Sequence, residues 1–351
     1  MNRDKTIDRL RGFAMLWVIL IHALYWGEFF TNTHVNLLKS YLLFEMPLFF
    51  YVTGASSRYS NTTEYFHFLF RRFKRFMIPY WVFSAICVAL TISYHSIYNT
   101  MNLSTAIQTL LSWILPFDTQ ISSLSYLTWA LWFIPVYLCV LTLIPLLKKA
   151  AATHPVRYFI ILACIFMIVC LCRTGWIQNI AFYGLWTYIG LFHKEIALAA
   201  KSKEHQKYFI LSAIASSSGM ILTFLCGAAL DIQYHKFPPN ITFALYSIAA
   251  LSVILLLLPQ FNHLFDFLEK NILMRRILDL FSTRSLTIYL YQGFAFNLAM
   301  RLVRRLAPRS GFLAPYIQCL FCFAVTVLIC AVFAIVLGWV EDFGKQKKPN
   351  S

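Results

Sequence analysis

Charged residues are scarce in this sequence. Only 13% of its 351 residues are charged, whereas 60% are hydrophobic, and Phe and Tyr contribute 33 and 19 residues. A soluble core of this length does not need so much apolar surface, and repeated uncharged runs of about 18 or more residues are typical of membrane-spanning helices. The composition therefore predicts an all-α, polytopic integral membrane protein.

Acidic residues are especially few: 14 Asp and Glu stand against 30 Lys and Arg, which gives a formal net charge of +16. In a soluble chain this excess would suggest binding to nucleic acid. Here the Lys and Arg residues fall in the short segments between hydrophobic stretches, where they set the orientation of the protein in the membrane. We therefore expect membrane lipid as a partner, and no nucleic acid.

The cysteines lack both a disulfide framework and metal-ligand spacing. The nine cysteines all fall inside hydrophobic runs, and the Cys319-x-x-Cys322 pair has neither a second pair nor a histidine at a suitable distance. No metal site is predicted. The basic segment 3–11 is not followed by a small-residue cleavage site, so we interpret the N-terminal stretch as a retained anchor.

Ten hydrophobic stretches predict about ten transmembrane helices. They cover residues 11–30, 37–57, 76–98, 126–147, 156–173, 176–192, 208–230, 241–259, 285–303 and 313–339. Lys and Arg are concentrated in the connections on the side of the N-terminus, so both termini are predicted to be cytoplasmic. We expect one membrane-embedded domain over residues 1–345, followed by a short cytoplasmic tail over residues 346–351.

The first stretch, R11-GFAMLWVILI-H22, separates an arginine from a histidine by ten residues. Eleven steps of about 100° end about 20° past three full turns, so Arg11 and His22 share one helix face, about 16 Å apart along the axis. With Arg11 at one surface, His22 lies near the midplane of a hydrocarbon core about 30 Å thick. An ionisable group at that depth is a candidate functional residue, although a lone histidine can also simply bind a neighbouring helix.

Two other charged features accompany this pair. The segment 58–75 ends in a basic cluster, and the guanidinium groups of Arg72 and Arg75 could join Arg11 in holding one polyanion, because arginine binds phosphates bidentately. A positive-inside signal or an attraction to anionic lipid explains the same cluster. Glu45 lies in the second hydrophobic stretch, where it either orients His22 or receives a substrate, or is solvated near the outer interface.

Taken in chain order, these segments resemble acyltransferase family 3. The resemblance rests on R11-x10-H22, on PLFFYVTG, on R72-x-x-R75 before a Pro-Tyr-Trp span, and on the later LWFIPVYL and SLTIYLYQG segments. It implies an integral-membrane O-acyltransferase, most typically an O-acetyltransferase of bacterial surface polysaccharides. In the family, the histidine that matches His22 is taken as the catalytic base, and the matching arginines are implicated in donor handling.

The resemblance also implies the reaction partners. Acetyl-CoA, or another acyl-CoA, is the expected co-substrate, without a metal, and the expected acceptor is a glycan or a lipid-linked glycan at the inner membrane of a bacterium. Arg11, Arg72 and Arg75 would hold the CoA phosphates, and His22 and Glu45 would serve the chemistry. The alternative is a transporter or flippase for a glycan or lipid-linked intermediate, which should show broken helices at matched positions of two halves; the sequence shows no such repeat.

Overall fold

The computed structural model describes residues 4–30, 32–60, 64–97, 103–115, 127, 130–308, 310–311 and 313–343. In these residues the regular secondary structure is helical, and the single β-bridge between Lys236 and Pro239 does not extend into a strand. The protein is therefore an all-α polytopic membrane protein, as its composition predicts. The predicted tail, 346–351, lies outside the described residues.

Fifteen α-helices have defined bounds in these residues. They are α1 (Lys5–Trp26), α2 (Thr33–Ser40), α3 (Glu45–Ser57), α4 (Tyr65–Ile97), α5 (Leu103–Ile114), α6 (Phe133–Thr153), α7 (Pro155–Leu171), α8 (Trp176–Gly190), α9 (His193–Lys201), α10 (Lys203–Leu225), α11 (Ile241–Leu256), α12 (Leu258–Leu268), α13 (Ile272–Thr283), α14 (Ser285–Leu306) and α15 (Ala314–Leu337). Short 3-10 helices cover Ile232–His235 and Gly338–Asp342.

The helices cluster into two compact units. The first unit comprises residues 1–62 and 142–282, and the second comprises residues 63–141 and 283–351. In the first unit, α3 packs on α1 and α8, and α10 packs on α11. In the second unit, α14 packs on α15, and α4 packs on α5.

Each of the ten predicted spans overlaps at least one helix of the described residues. By length and apolar composition, five described segments can cross a membrane alone: Thr33–Ser57, Tyr65–Tyr94, Phe133–Thr153, Lys203–Leu225 and Ala314–Asp342. The number rises to six if α11 and α12, bent by 59°, form one span. Of the other predicted spans, α1 and α14 carry several charges, and α7 and α8 have only 17 and 15 residues.

The second predicted span is interrupted. We predicted one continuous stretch over 37–57, but α2 ends at Ser40 and α3 begins at Glu45. The backbone N–H of Tyr41 bonds back to the Leu38 carbonyl and closes α2. Glu45 is therefore the first residue of a helix, where a carboxylate interacts favourably with the helix dipole, and Pro47 is tolerated in the same first turn.

Two glycines bring α3 and α8 into close contact. A β-carbon on Gly54 would lie 1.9 Å from the Thr187 carbonyl oxygen, and one on Gly190 would lie 2.0 Å from the Tyr51 carbonyl oxygen. Small residues of this kind allow helix backbones to approach closely in membranes. The contact fixes α3, the helix that begins with Glu45.

Replacing Gly54 with alanine is therefore expected to destabilise the first unit by about 1–3 kcal/mol, because the added methyl group forces two backbones apart. Gly184→Ala is the matched control, since a β-carbon on this buried α8 glycine meets no atom within 4 Å. The measurement is thermal unfolding of both purified variants in detergent. A Gly54→Ala midpoint equal to that of Gly184→Ala would contradict the close contact.

Candidate active site

The first helix carries both Arg11 and His22. Helix α1 is unbroken from Lys5 to Trp26, and the Asp4 side chain caps its start by accepting a hydrogen bond from the Thr6 backbone N–H. Both Arg11 and His22 are half-buried. Since the helix is continuous, the eleven-residue spacing keeps the two side chains near one line, about 16 Å apart along the axis.

The guanidinium of Arg11 is oriented by α1 and α3. It lies 3.3 Å from the Asp8 carboxylate, one helical turn earlier, and donates a second hydrogen bond to the Ser56 hydroxyl. Ser56 in turn donates to the Val52 carbonyl at 2.8 Å. The Arg11 side chain remains 23% exposed, so it is held in place and still reachable by an anionic ligand.

The start of α1 is attached to α12 by a second arginine. Arg9 donates to Glu269 at 2.6 and 2.7 Å and to Asp266 at 2.6 Å. A bidentate arginine–carboxylate contact is among the stronger charge-assisted interactions in proteins. It fixes the end of the helix from which Arg11 projects.

Glu45 is buried and paired with a lysine that the sequence analysis did not select. Only 2% of Glu45 and 5% of Lys236 are exposed, and the Lys236 ammonium forms a hydrogen-bonded ion pair with Oε1 of Glu45. The alternative of a solvated Glu45 is therefore wrong. Lys236 lies in the KFPPN segment, whose two prolines are typical of an exposed loop between spans. The local sequence therefore does not indicate that this lysine is buried.

A buried histidine was also missed. His193 begins α9 and is 1% exposed; its Nδ1 lies 2.9 Å from the Tyr51 hydroxyl of α3. Burial lowers the pKa of His193, so its imidazole is neutral at pH 7. Beside it, Arg58 binds Glu195 at 2.7 Å and lowers the pKa of that carboxyl. These contacts join the end of α3 to α9.

Arg72 and Arg75 lie on α4, in the second unit. The spacing of three residues places them on one side of that helix. Arg75 is exposed, whereas Arg72 is half-buried with its guanidinium carbon 5.5 Å from the centre of the Phe68 ring. Arg11, His22 and Glu45 belong to the first unit. That the three arginines bind one polyanion stays a prediction.

The fold and these helices define a multi-span, all-α membrane protein. The family model of acyltransferase family 3, described as an acyltransferase domain, matches residues 4–335, nearly the whole chain. The chain belongs to this family and is a membrane acyltransferase, so the resemblance noted in the sequence is confirmed. No curated protein matches the chain significantly, and no solved structure does.

Proposed function

We propose that the protein is an O-acyltransferase that moves an acyl group, most typically acetyl from acetyl-CoA, to a hydroxyl of a cell-surface polysaccharide or its lipid-linked precursor. The observation that carries the proposal is the arrangement on α1. A guanidinium oriented by Asp8 and Ser56 and an imidazole three turns further on share one continuous helix in a chain of an acyltransferase family.

The spacing on α1 supports separate roles for Arg11, as a ligand of the donor's phosphates, and for His22, at the reacting thioester. Coenzyme A has phosphates at one end and a thioester at the other, joined by an extended arm comparable to the rise from Arg11 to His22. Arg11 binds the phosphates, since an arginine fork matches their geometry. Arg72 and Arg75, on α4, are proposed as further phosphate ligands for the same chemical reason.

His22 is proposed as the general base. A neutral imidazole removes the proton from the acceptor hydroxyl while the hydroxyl oxygen attacks the thioester carbonyl. The new carbon–oxygen bond forms as the carbon–sulfur bond breaks, and the departing thiolate takes the proton back from the imidazolium. The products are the O-acylated acceptor and free coenzyme A, and His22 is regenerated. No covalent acyl-enzyme is required, because no Ser or Cys of the chain stands in a G-x-S-x-G setting.

The proposed setting is the inner membrane of a bacterium, with both termini cytoplasmic. The donor then arrives from the cytoplasm at Arg11, and the acceptor approaches His22 from the opposite side. A transporter or flippase for a glycan is the competing function. The family match to an acyltransferase domain favours the enzyme.

The test is to incubate membranes that contain the protein with radiolabelled acetyl-CoA and a lipid extract of the host membranes, which includes lipid-linked glycans. An acyltransferase releases CoA thiol and moves label into the extract. If no CoA thiol is released and the extract stays unlabelled, while the glycan moves across the membrane, the protein is a transporter and the proposal is wrong.

In this assay, Arg11→Ala is expected to raise the KM for acetyl-CoA by about tenfold, because one charge-assisted phosphate contact is lost. Arg72→Ala and Arg75→Ala are expected to act in the same direction. Arg157→Ala is the matched control: it removes one positive charge from an exposed position on α7 and should leave the KM unchanged. An unchanged KM in Arg11→Ala would remove Arg11 from donor binding.

A further inference from the structure

Helices α12 and α13 form a hairpin that leaves a group of large apolar side chains uncovered. The group, called here the hairpin patch, belongs to the second half of α12 and the first turn of α13, and between 41% and 67% of each residue is exposed: Leu264, Phe267, Ile272, Leu273 and Met274. Contiguous exposed apolar side chains usually indicate a surface that contacts a membrane or another molecule.

The other face of α12 packs on the start of α1. The ring of Phe261 lies 5.3 Å from that of Phe13, and Phe265 is buried. Phe267 follows Phe265 by two residues, which is about 200° around the helix. It therefore points away from α1, and α1 does not cover the hairpin patch.

Helix α12 lies across α1 at the level of Arg9. Phe261 contacts Phe13, whereas the next residue, Asn262, lies 3.4 Å from the Thr6 hydroxyl, about 10 Å back along α1. Between these two contacts, Arg9 binds two carboxylates of α12. The helix is also bent by 59° from α11, the apolar helix before it. Because Arg9 directly precedes the first predicted span, α12 lies near a membrane surface.

The second helix of the hairpin also lies against α1. A β-carbon on Gly12 would lie 3.1 Å from the Leu278 carbonyl oxygen, so the two backbones are close. Phe281 and Ser282, near the end of α13, are buried. Both helices are thus held beside the segment of α1 that carries Arg11, while the turn between them remains uncovered.

Basic residues accompany the hairpin patch. Three exposed cations stand in the turn and at the start of α13: Lys270, Arg275 and Arg276. Residues 270–276 contain no acidic residue. Of the nearby carboxylates, Asp266 and Glu269 bind Arg9, and Asp279 lies one turn further along α13; His263 on α12 is exposed as well. Apolar side chains next to exposed cations are typical of a helix in the interface of an anionic membrane.

We propose that the hairpin of α12 and α13 is a membrane-surface element that binds anionic phospholipid on the side of the N-terminus. The hairpin patch enters the interface between headgroups and acyl chains, and Lys270, Arg275 and Arg276 bind the lipid phosphates. Lipid fits this surface better than a protein partner does, because the hairpin already lies at membrane level and lipid supplies both an apolar layer and negative charge. The inference does not depend on the acyl donor or the acceptor.

One measurement tests the depth of the hairpin patch. Protein with Phe267→Cys or Leu273→Cys is placed in nanodiscs of phosphatidylcholine and phosphatidylglycerol and treated with a membrane-impermeant maleimide, and mass spectrometry of peptides locates the label. A thiol in the interface should react about tenfold more slowly than the thiol of Lys201→Cys, which is exposed at the end of α9. Equal rates would overturn the proposal and leave the patch open to a protein partner.

A second measurement tests recognition of the anionic headgroup. The unfolding temperature of the wild-type protein should be about 4 °C higher in phosphatidylglycerol nanodiscs than in phosphatidylcholine nanodiscs, because a ligand that binds only the folded protein stabilises it. The variant Lys270→Gln/Arg275→Gln/Arg276→Gln should lose most of this difference, since its hairpin no longer carries the cations that bind phosphate.

The matched control is Lys201→Gln/Lys203→Gln/Lys207→Gln, which removes three exposed positive charges from α9 and α10. It should retain the difference between the two lipids, because these lysines do not belong to the hairpin. If the hairpin variant retains the full difference, or if the wild-type protein shows none, the hairpin does not recognise anionic lipid and the proposal is wrong.

Discussion

His22→Ala is expected to abolish acyl transfer while the protein still inserts into the membrane. A positioned general base contributes about 10²–10⁴-fold to rate, so activity should fall by about 10³-fold. The measurement is label transfer from acetyl-CoA per amount of protein in the membrane fraction. His22→Gln, which keeps a hydrogen-bonding side chain but cannot accept the proton at neutral pH, should be equally inactive.

The control for this prediction is His34→Ala. His34 lies on α2 and is exposed, so its loss should leave transfer at the wild-type level. If His22→Ala retains transfer, His22 has a packing role, as a lone membrane histidine often does, and the base must be sought elsewhere.

Lys236→Met is expected to cost about 3–5 kcal/mol of stability, because it leaves the Glu45 carboxylate buried without its counter-charge. The double variant Glu45→Gln/Lys236→Met removes both charges and should recover most of that loss. Thermal unfolding in detergent can be followed with a thiol-reactive dye, since Cys87, Cys322 and Cys330 are buried in the folded protein.

Lys203→Met serves as the control for this pair of variants, because Lys203 is exposed at the start of α10. Its unfolding temperature should match that of the wild type. Equal unfolding temperatures for the single and the double variant would show that Glu45 is not held by Lys236.

The ion pair illustrates where sequence reasoning fails. Glu45 was selected as a candidate because a carboxylate is rare in a hydrophobic stretch, but its partner lies 191 residues away. Lys236 lies in a short connection between hydrophobic stretches, two residues before a Pro-Pro pair, and nothing in that connection indicates that the lysine is buried. The hydrogen-bonded pair of His193 and Tyr51 was equally hidden, because the two residues are 142 positions apart in sequence and no local pattern distinguishes His193.

The interrupted second span has a different physical reason. Hydropathy over residues 37–57 is high enough to predict one continuous helix, and hydropathy averages over the turn at 41–44. The break is visible only in the backbone, where the Tyr41 and Leu42 N–H groups bond back to the end of α2. Because of this break, Glu45 lies at the N-terminus of α3 and not in the middle of a longer helix.

Composition, hydrophobic run length and helical period, all local properties, were sufficient to establish an all-α membrane protein and the common helix of Arg11 and His22. The rise and rotation per residue of an α-helix are fixed, so the eleven-residue spacing alone predicts that Arg11 and His22 lie on one face, about 16 Å apart along the axis. Which atoms are buried, and with what, was decided only by tertiary packing: the glycine contact of α3 with α8, and the pairing of Glu45 with Lys236. Partners so far apart in the chain meet only through the packing of many helices.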